Sequence, residues 1–364
     1  MKWHDYSKTS FVLIAFIAAF MISANQANAD FTFGELVNLE SVIPVLDPVH
    51  ESINCFSSDG LEMYIGSDRP GGQGDYDLWV LRRTSIDDDW GSPENLGPAV
   101  NGLNSDAMPS VSADGLTLCF NSNRPGGYGR FDIWMITRAT KNDPWGAAVN
   151  LGPKVNSSSS DADPWISADG LELYFSSKRP GGYGDFDIYV TRRTTQDEPW
   201  ADAVNLGPTV NSAYGDGIPY VSPDGLILFF ADIYYCPVRP GGYGGADMWI
   251  TRRATLSDPW QEPVNLGSKV NSAAHDFLSR LSPDGQTLYF CTERDGTYDN
   301  WQSAIIIIVD FNGDGKVDLK DFSKLAQSWG QDDSSVDIGP MAWGDGRVDI
   351  QNLAVLVEYW LSEF

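Results

Sequence analysis

The chain has 364 residues, with 24 Lys and Arg against 50 Asp and Glu, a formal net charge of −26. A balance this acidic repels phosphate backbones, so nucleic acid is excluded as a partner, while soluble and cation-binding roles stay open. Beyond the first thirty residues nothing is long and apolar enough to span a bilayer. Ala304 to Val309 is apolar but short, and reads as a buried strand.

Residues 1–29 read as a secretory signal peptide. Lys2 and Lys8 precede an apolar run from Phe11 to Ile22, and Ala27-Asn28-Ala29 forms a small-x-small cleavage site. Cleavage after Ala29 removes Lys2, Lys8 and Asp5, leaving 22 basic against 49 acidic residues, a net of −27. The expected location is extracytoplasmic: secreted, cell-surface or periplasmic.

Residues 30–309 are organised by a repeat. An Asp-Gly pair recurs at Asp59, Asp114, Asp169, Asp224 and Asp284, with spacings of 55, 55, 55 and 60 residues. Ten residues after each of the first three pairs stands RPGGQG or RPGGYG, beginning at Arg69, Arg124 and Arg179. A fourth copy begins at Arg239, after an insertion containing Ile233, Tyr234 and Tyr235, and a decayed copy, RDGTYD, at Arg294. Each unit reads as four short strands: PSVS or PYVS before the Asp-Gly turn, LTLCF or LELYF after it, FDIWMITR after the Gly-rich hairpin, and AVNLG or PVNLG after a polar loop. Period-two alternation, aromatic and β-branched residues and Gly/Pro punctuation favour strands throughout. Repetition at this period marks units that bury their faces against one another. The predicted fold is therefore an all-β five-bladed propeller with four antiparallel strands per blade. The last unit lacks a fourth strand, whereas LVNLE at Leu36 matches PVNLG at Pro263. The segment from Leu36 to Ser41 is expected to complete the fifth blade and close the ring.

The repeat, SxDGxxLYFxSxRPGGYGxxDIW, resembles the WD-repeat-like propeller repeat of the TolB type. That resemblance implies an exported bacterial protein with this fold and says little about activity.

One acidic residue precedes every Asp-Gly pair by eight positions: Glu51, Asp106, Asp161, Asp216 and Asp276. Together with Arg69, Arg124, Arg179, Arg239 and Arg294, and with Tyr128, Tyr183 and Tyr243, these residues belong to loops on one face, with the carboxylates expected around one channel mouth. Three readings follow. Arg and Asp can pair across adjacent loops and hold the ring in register. Alternatively, the face binds a glycan or protein, with tyrosines stacking on sugar rings. A third possibility is a polysaccharide-degrading glycoside hydrolase with its acid and base among these carboxylates. No Ser-His-Asp arrangement or Cys/His metal spacing is evident. Cys55, Cys119, Cys236 and Cys291 occupy different repeat positions and read as small apolar fillers, with disulfide pairing as the alternative in an exported chain.

Residues 310–364 change character. DFNGDGKVDLKD places Asp310, Asn312, Asp314, the Lys316 carbonyl, Asp318 and Asp321 at positions 1, 3, 5, 7, 9 and 12 of an EF-hand-type calcium loop, with Gly315 at the turn. A helix is expected to follow, with Phe322, Leu325 and Trp329 on one face and Gly330 as its stop. About 31 residues later Asp345, Arg347, Asp349 and Asn352 match positions 5, 7, 9 and 12 of a degenerate second loop, where Met341 and Trp343 fall at positions 1 and 3. Two loop–helix half-sites of this length resemble a type I dockerin. The resemblance implies Ca2+ as cofactor and a cohesin-like protein as partner. Where that family often carries Ser-Thr at positions 10 and 11, this chain has Leu319-Lys320 and Ile350-Gln351. The alternative is a calcium-folded module simply attached to the propeller.

Overall fold

The computed structural model describes residues 31–39, 50–233, 235–307, 319–331, 348 and 353. The signal segment, Tyr234, and Asp310 to Asp318 fall outside these residues, as do Asp345, Arg347, Asp349 and Asn352. Among the described residues no helix is long and apolar enough to cross a membrane.

Five four-stranded antiparallel sheets make up the propeller. Blade 2 is representative: Asp106–Val111, Thr117–Ser122, Asp132–Thr137 and Val149–Asn150. Its second strand is buried along its whole length because each sheet lies between two others. The core is accordingly a series of blade-to-blade layers. One joins Tyr64 and Val80 to Leu118, Phe120 and Ile136, and another joins Cys119 and Ile133 to Leu173, Phe175 and Tyr189. Complete burial of such side chains contributes about 1.5–3 kcal/mol each.

The fourth strands are shorter than expected. Only Val149–Asn150 of AVNLG pairs in blade 2, against Met135 and Trp134. After one further bond, from the Leu151 amide to the Ile133 carbonyl (3.2 Å), that edge is taken over by a side chain. Asn156 accepts from the Ile133 amide (2.8 Å) and donates to the Ile133 carbonyl (3.0 Å) and to Asn150 Oδ1 (3.0 Å). Asn101, Asn211 and Asn271 repeat this arrangement, so an amide side chain continues each ladder where the main chain turns away.

The leading segment closes the ring. Phe31–Asn38 lies at the edge of the fifth sheet beside Asp299–Ile307. The Leu39 amide donates to the Asn300 carbonyl (2.9 Å), as the Leu266 amide does to Met248 (3.1 Å), so the alignment of LVNLE with PVNLG holds in register. The strand begins five residues earlier than the predicted Leu36, because Phe33, buried, and the residues after it already alternate as a strand. Glu40 and Ser41 lie outside the described residues.

All four cysteines are free and buried. Burial pushes the thiols of Cys55, Cys119 and Cys236 up to about 12, which leaves them as apolar filler at neutral pH. The disulfide alternative is thereby corrected.

A second compact unit comprises residues 1–32 and 307–364. Its described part holds one helix, Leu319–Gln327, with Asp321 in the first turn, where a carboxylate suits the helix dipole. Leu325 is fully buried, whereas Phe322 and Trp329 are exposed. The shared apolar face expected of all three is thus reduced to Leu325, since Trp329 lies beyond the helix end. Gly330, at φ 75°, ends the segment, and its amide donates to the Val348 carbonyl (2.6 Å).

Candidate functional site

The acidic and basic residues of the repeat meet in one cluster per blade. In blade 3, Asp161 starts the first strand and sits opposite Ser177 at the end of the second. Arg179 follows two residues later, and its Nη2 reaches Asp161 Oδ1 at 2.7 Å. The equivalent pairs are Arg69 with Glu51, Arg124 with Asp106 (2.5 Å), Arg239 with Asp216 (2.8 Å) and Arg294 with Asp276 (2.9 Å). The antiparallel register places both partners in one blade, so the pairing is not across adjacent loops. What does cross is a second bond from the same nitrogen. Arg124, Arg179, Arg239 and Arg294 donate to the carbonyls of Val100, Val155, Val210 and Val270, each in the connection arriving from the preceding blade.

These carboxylates are not at a channel mouth open to ligand. Asp106, Asp161, Asp216 and Asp276 are 0 % exposed, and Glu51 is 5 % exposed. Asp161 also accepts from the Ser157 amide (2.5 Å), Ser157 Oγ (2.8 Å) and Ser177 Oγ (2.6 Å), so its acceptor capacity is filled. The guanidinium of Arg179 lies against Phe175 and Tyr189, with Cζ 5.2 and 4.6 Å from the ring centroids. A hydrolytic acid and base must reach the substrate oxygen and a water. These five groups reach only the protein.

The tyrosines are different. Tyr128, Tyr183 and Tyr243 are 52, 50 and 52 % exposed at the tips of the hairpins of blades 2, 3 and 4. Each hairpin turns at Pro-Gly, as at Pro125-Gly126, where Gly126 has φ +98° and a side chain would be strained. The tip is then fastened to the aspartate that starts the third strand. The Tyr183 and Gly184 amides donate to Asp187 at 2.6 and 3.0 Å, and Asn205 donates to the same carboxylate at 2.8 Å. Gly129 lets the hairpin touch the next connection: a Cβ there would lie 1.5 Å from the Ser159 carbonyl oxygen. Three aromatic rings are therefore presented on similar hairpins, although in blade 4 Asn265 Nδ2 does not bond to Asp247. Blade 1 has Gln73 at this place.

Blade 4 departs from the pattern. Its insertion buries Ile233 in an apolar cluster with Ile218, Phe277 and Leu278 and leaves Tyr235 exposed. At the last position of the second strand the other blades carry Ser67, Ser122, Ser177 and Thr292, whereas blade 4 carries Asp232. Asp232 faces Asp216 across the strand pair and accepts from the Arg239 amide (3.1 Å), the Asp247 amide (3.1 Å) and Trp249 Nε1 (3.1 Å). Arg239 Nε is left without a partner. Burial, with the Asp216 charge adding to it, raises the Asp232 carboxyl to about 6. Sequence reasoning missed this second acid, although aligning the ends of the second strands would have exposed it.

The sign of its effect follows from linkage. The folded value lies above the ordinary 3.8, so the fold binds the proton more tightly than the unfolded chain does. The favourable contribution is complete below about pH 4 and is lost as pH rises through about 6. Asp232→Asn is expected to flatten the decline in stability between pH 4 and 7.5, with a gain on the order of 2 kcal/mol at the upper end. Urea midpoints across that range provide the check. Parallel curves for variant and wild type would show that Asp232 does not titrate there.

Of the proposed calcium ligands, only Asp321 is among the described residues. It is fully buried in the first turn of its helix, the place a twelfth-position ligand must occupy. Among the described residues no group of three or more His, Cys, Asp or Glu is arranged to hold a metal.

No protein-family model matches the chain, and no characterised protein matches it by sequence. Solved structures do. A putative TolB from Agrobacterium tumefaciens aligns over 72 % of this chain and 78 % of its own, at 18 % identity and a TM-score of 0.44. The catalytic domain of a GH62 α-L-arabinofuranosidase from Coprinopsis cinerea aligns over 76 % and 98 %, at 12 % identity and a TM-score of 0.45. An endo-arabinase from Bacteroides thetaiotaomicron aligns over 71 % and 97 %, at 15 % identity and a TM-score of 0.45. At such values the functional reading rests on this chain's own residues.

Proposed function

We propose that the chain is an exported recognition propeller that binds a glycan on the face of its RPGGYG hairpins. The observation that carries this reading is the set of half-exposed rings of Tyr128, Tyr183 and Tyr243, repeated at one position on three consecutive blades. Flat aromatic faces on fixed supports suit stacking against sugar rings, and three of them suit a chain of sugars better than a single one. The C-terminal unit, in this reading, folds around calcium through Asp310, Asn312, Asp314, the Lys316 carbonyl, Asp318 and Asp321, and displays or assembles the propeller through a cohesin-like partner.

The test is calorimetry of the mature full-length chain against the oligosaccharides that score on a glycan array. Tyr183→Ala should weaken binding about fivefold, as expected for loss of a contact worth about 1 kcal/mol, and the triple Tyr→Ala variant should abolish it. Unchanged affinity in the triple variant would remove the reading. Asp310→Ala in the same chain tests the calcium part: a wild-type melt insensitive to chelator would remove it. The hydrolase reading has less support, because Asp216 and Asp232, a pair of carboxylates that face each other across a strand pair, are both 0 % exposed. It requires reducing-sugar release that disappears in Asp232→Asn.

A further inference from the structure

The opposite end of the axis is built on other chemistry. Every first strand starts at the RPGGYG face and runs toward the Asp-Gly turns. At its fifth position the five blades carry Cys55, Ser110, Trp165, Tyr220 and Arg280. A position that differs in every blade is not required by the repeat. Arg280 is only 2 % exposed. Its Nε donates to the Asn54 carbonyl (2.5 Å) and its Nη1 to the Ser279 carbonyl (2.8 Å), while Nη2 makes no hydrogen bond among the described residues. The guanidinium lies 5.3 Å from the Trp165 ring and 5.8 Å from the Tyr220 ring.

No carboxylate forms an ion pair with Arg280 among the described residues, in contrast to the five repeat arginines on the other face. Asp163 acts on it only at a distance. An enclosed guanidinium without an ion-pair partner is costly. Burial here pulls its pKa down to about 10. Arg280 lines a pocket of about 170 Å³ whose wall is mainly apolar, with Phe56, Val111, Trp165, Tyr220 and Leu281, and also includes Ser57, Ser58 and Ser282. That is close to the ~150 Å³ of a cavity that takes up benzene.

We propose that this cavity binds a small organic monocarboxylate with a flat apolar body. The carboxylate meets Arg280, and the body lies against Trp165, Tyr220 and the apolar wall. One guanidinium matches one negative charge, the walls disfavour a hydrated polyanion such as phosphate, and a protein of net charge −26 repels multiply charged ligands most strongly. The site lies at the other end of the first strands from Tyr128, Tyr183 and Tyr243, so its failure leaves the glycan reading untouched.

Benzoate is the probe, titrated into the full-length protein with tryptophan fluorescence and calorimetry as readouts. Expected is saturable one-to-one binding, at least tenfold weaker for benzyl alcohol, for inorganic phosphate and for the Arg280→Gln variant. Thermal melts establish that the variant is folded. Should Arg280→Gln not fold, Ala113→Trp at the rim of the cavity takes its place and should block benzoate while leaving Arg280 intact. The proposal is overturned by absence of saturation in the wild type. It is also overturned by benzyl alcohol or phosphate binding as tightly as benzoate, or by undiminished benzoate binding in a folded Arg280→Gln or Ala113→Trp variant.

Discussion

Deleting residues 30–39 is expected to lower propeller stability by about 4 kcal/mol, on the order of two buried side chains' worth of burial, and to promote aggregation. The segment contributes the fourth strand of the fifth blade. It buries Phe33 at 4 % exposure and Leu39 at 2 %. Leu39 packs with Ile53, Met63, Trp79 and Leu81 of the first blade, so its loss opens the layer between the last blade and the first. The Phe33 carbonyl also accepts from Lys269 Nζ (2.8 Å), and the Gly34 carbonyl from Ser303 Oγ (3.2 Å). Removing the strand uncovers the edge of Asp299–Ile307, a long apolar template for pairing with other chains. Urea denaturation and light scattering read the two effects. Leu39→Ala isolates the packing part, with an expected cost of about 2–5 kcal/mol. An unchanged midpoint in the deletion variant would mean that the ring does not depend on this closure.

Asp161→Ala is expected to destabilise the propeller by about 3–5 kcal/mol, the range for breaking an enclosed ion pair by removing one partner. The substitution leaves the Arg179 guanidinium, the Ser157 amide and the Ser177 hydroxyl without their shared acceptor. Arg179→Ala should cost a similar amount, because it also releases the Val155 carbonyl and with it the connection from blade 2. The double variant should be far less damaged than the sum of the two, since neither charge is then stranded. An exposed pair contributes only about 0–1 kcal/mol, so losses of that size, or strict additivity, would contradict the enclosed position of the cluster.

Blade number and ring closure were legible in the chain because both are periodic. The Asp-Gly and Pro-Gly-Gly turns recur at fixed spacing, and Val37-Asn38-Leu39 repeats the edge motif of the other blades. The orientation of the charged residues was not legible. Asp161 and Arg179 have the same identities whether they meet a ligand or each other. What decides is how closely hairpin and connection approach, and that depends on a bare glycine such as Gly129 against Ser159. The fourth strands were read too long because the capping role of Asn156 depends on a fold-back between segments not adjacent in the chain. Asp232 and Arg280 escaped notice for a different reason. Aligning copies brings out what they share, whereas Asp232 stands where one copy breaks with the rest and Arg280 where no two copies agree.

Closure by the leading strand also sets an order of events. Phe31–Asn38, near the start of the chain, finds its place only beside Asp299–Ile307, some 260 residues downstream. Contacts that distant are slow to form. The ring cannot be completed until Asp299–Ile307 has been made, so the four earlier blades stand with an open edge until the last one arrives.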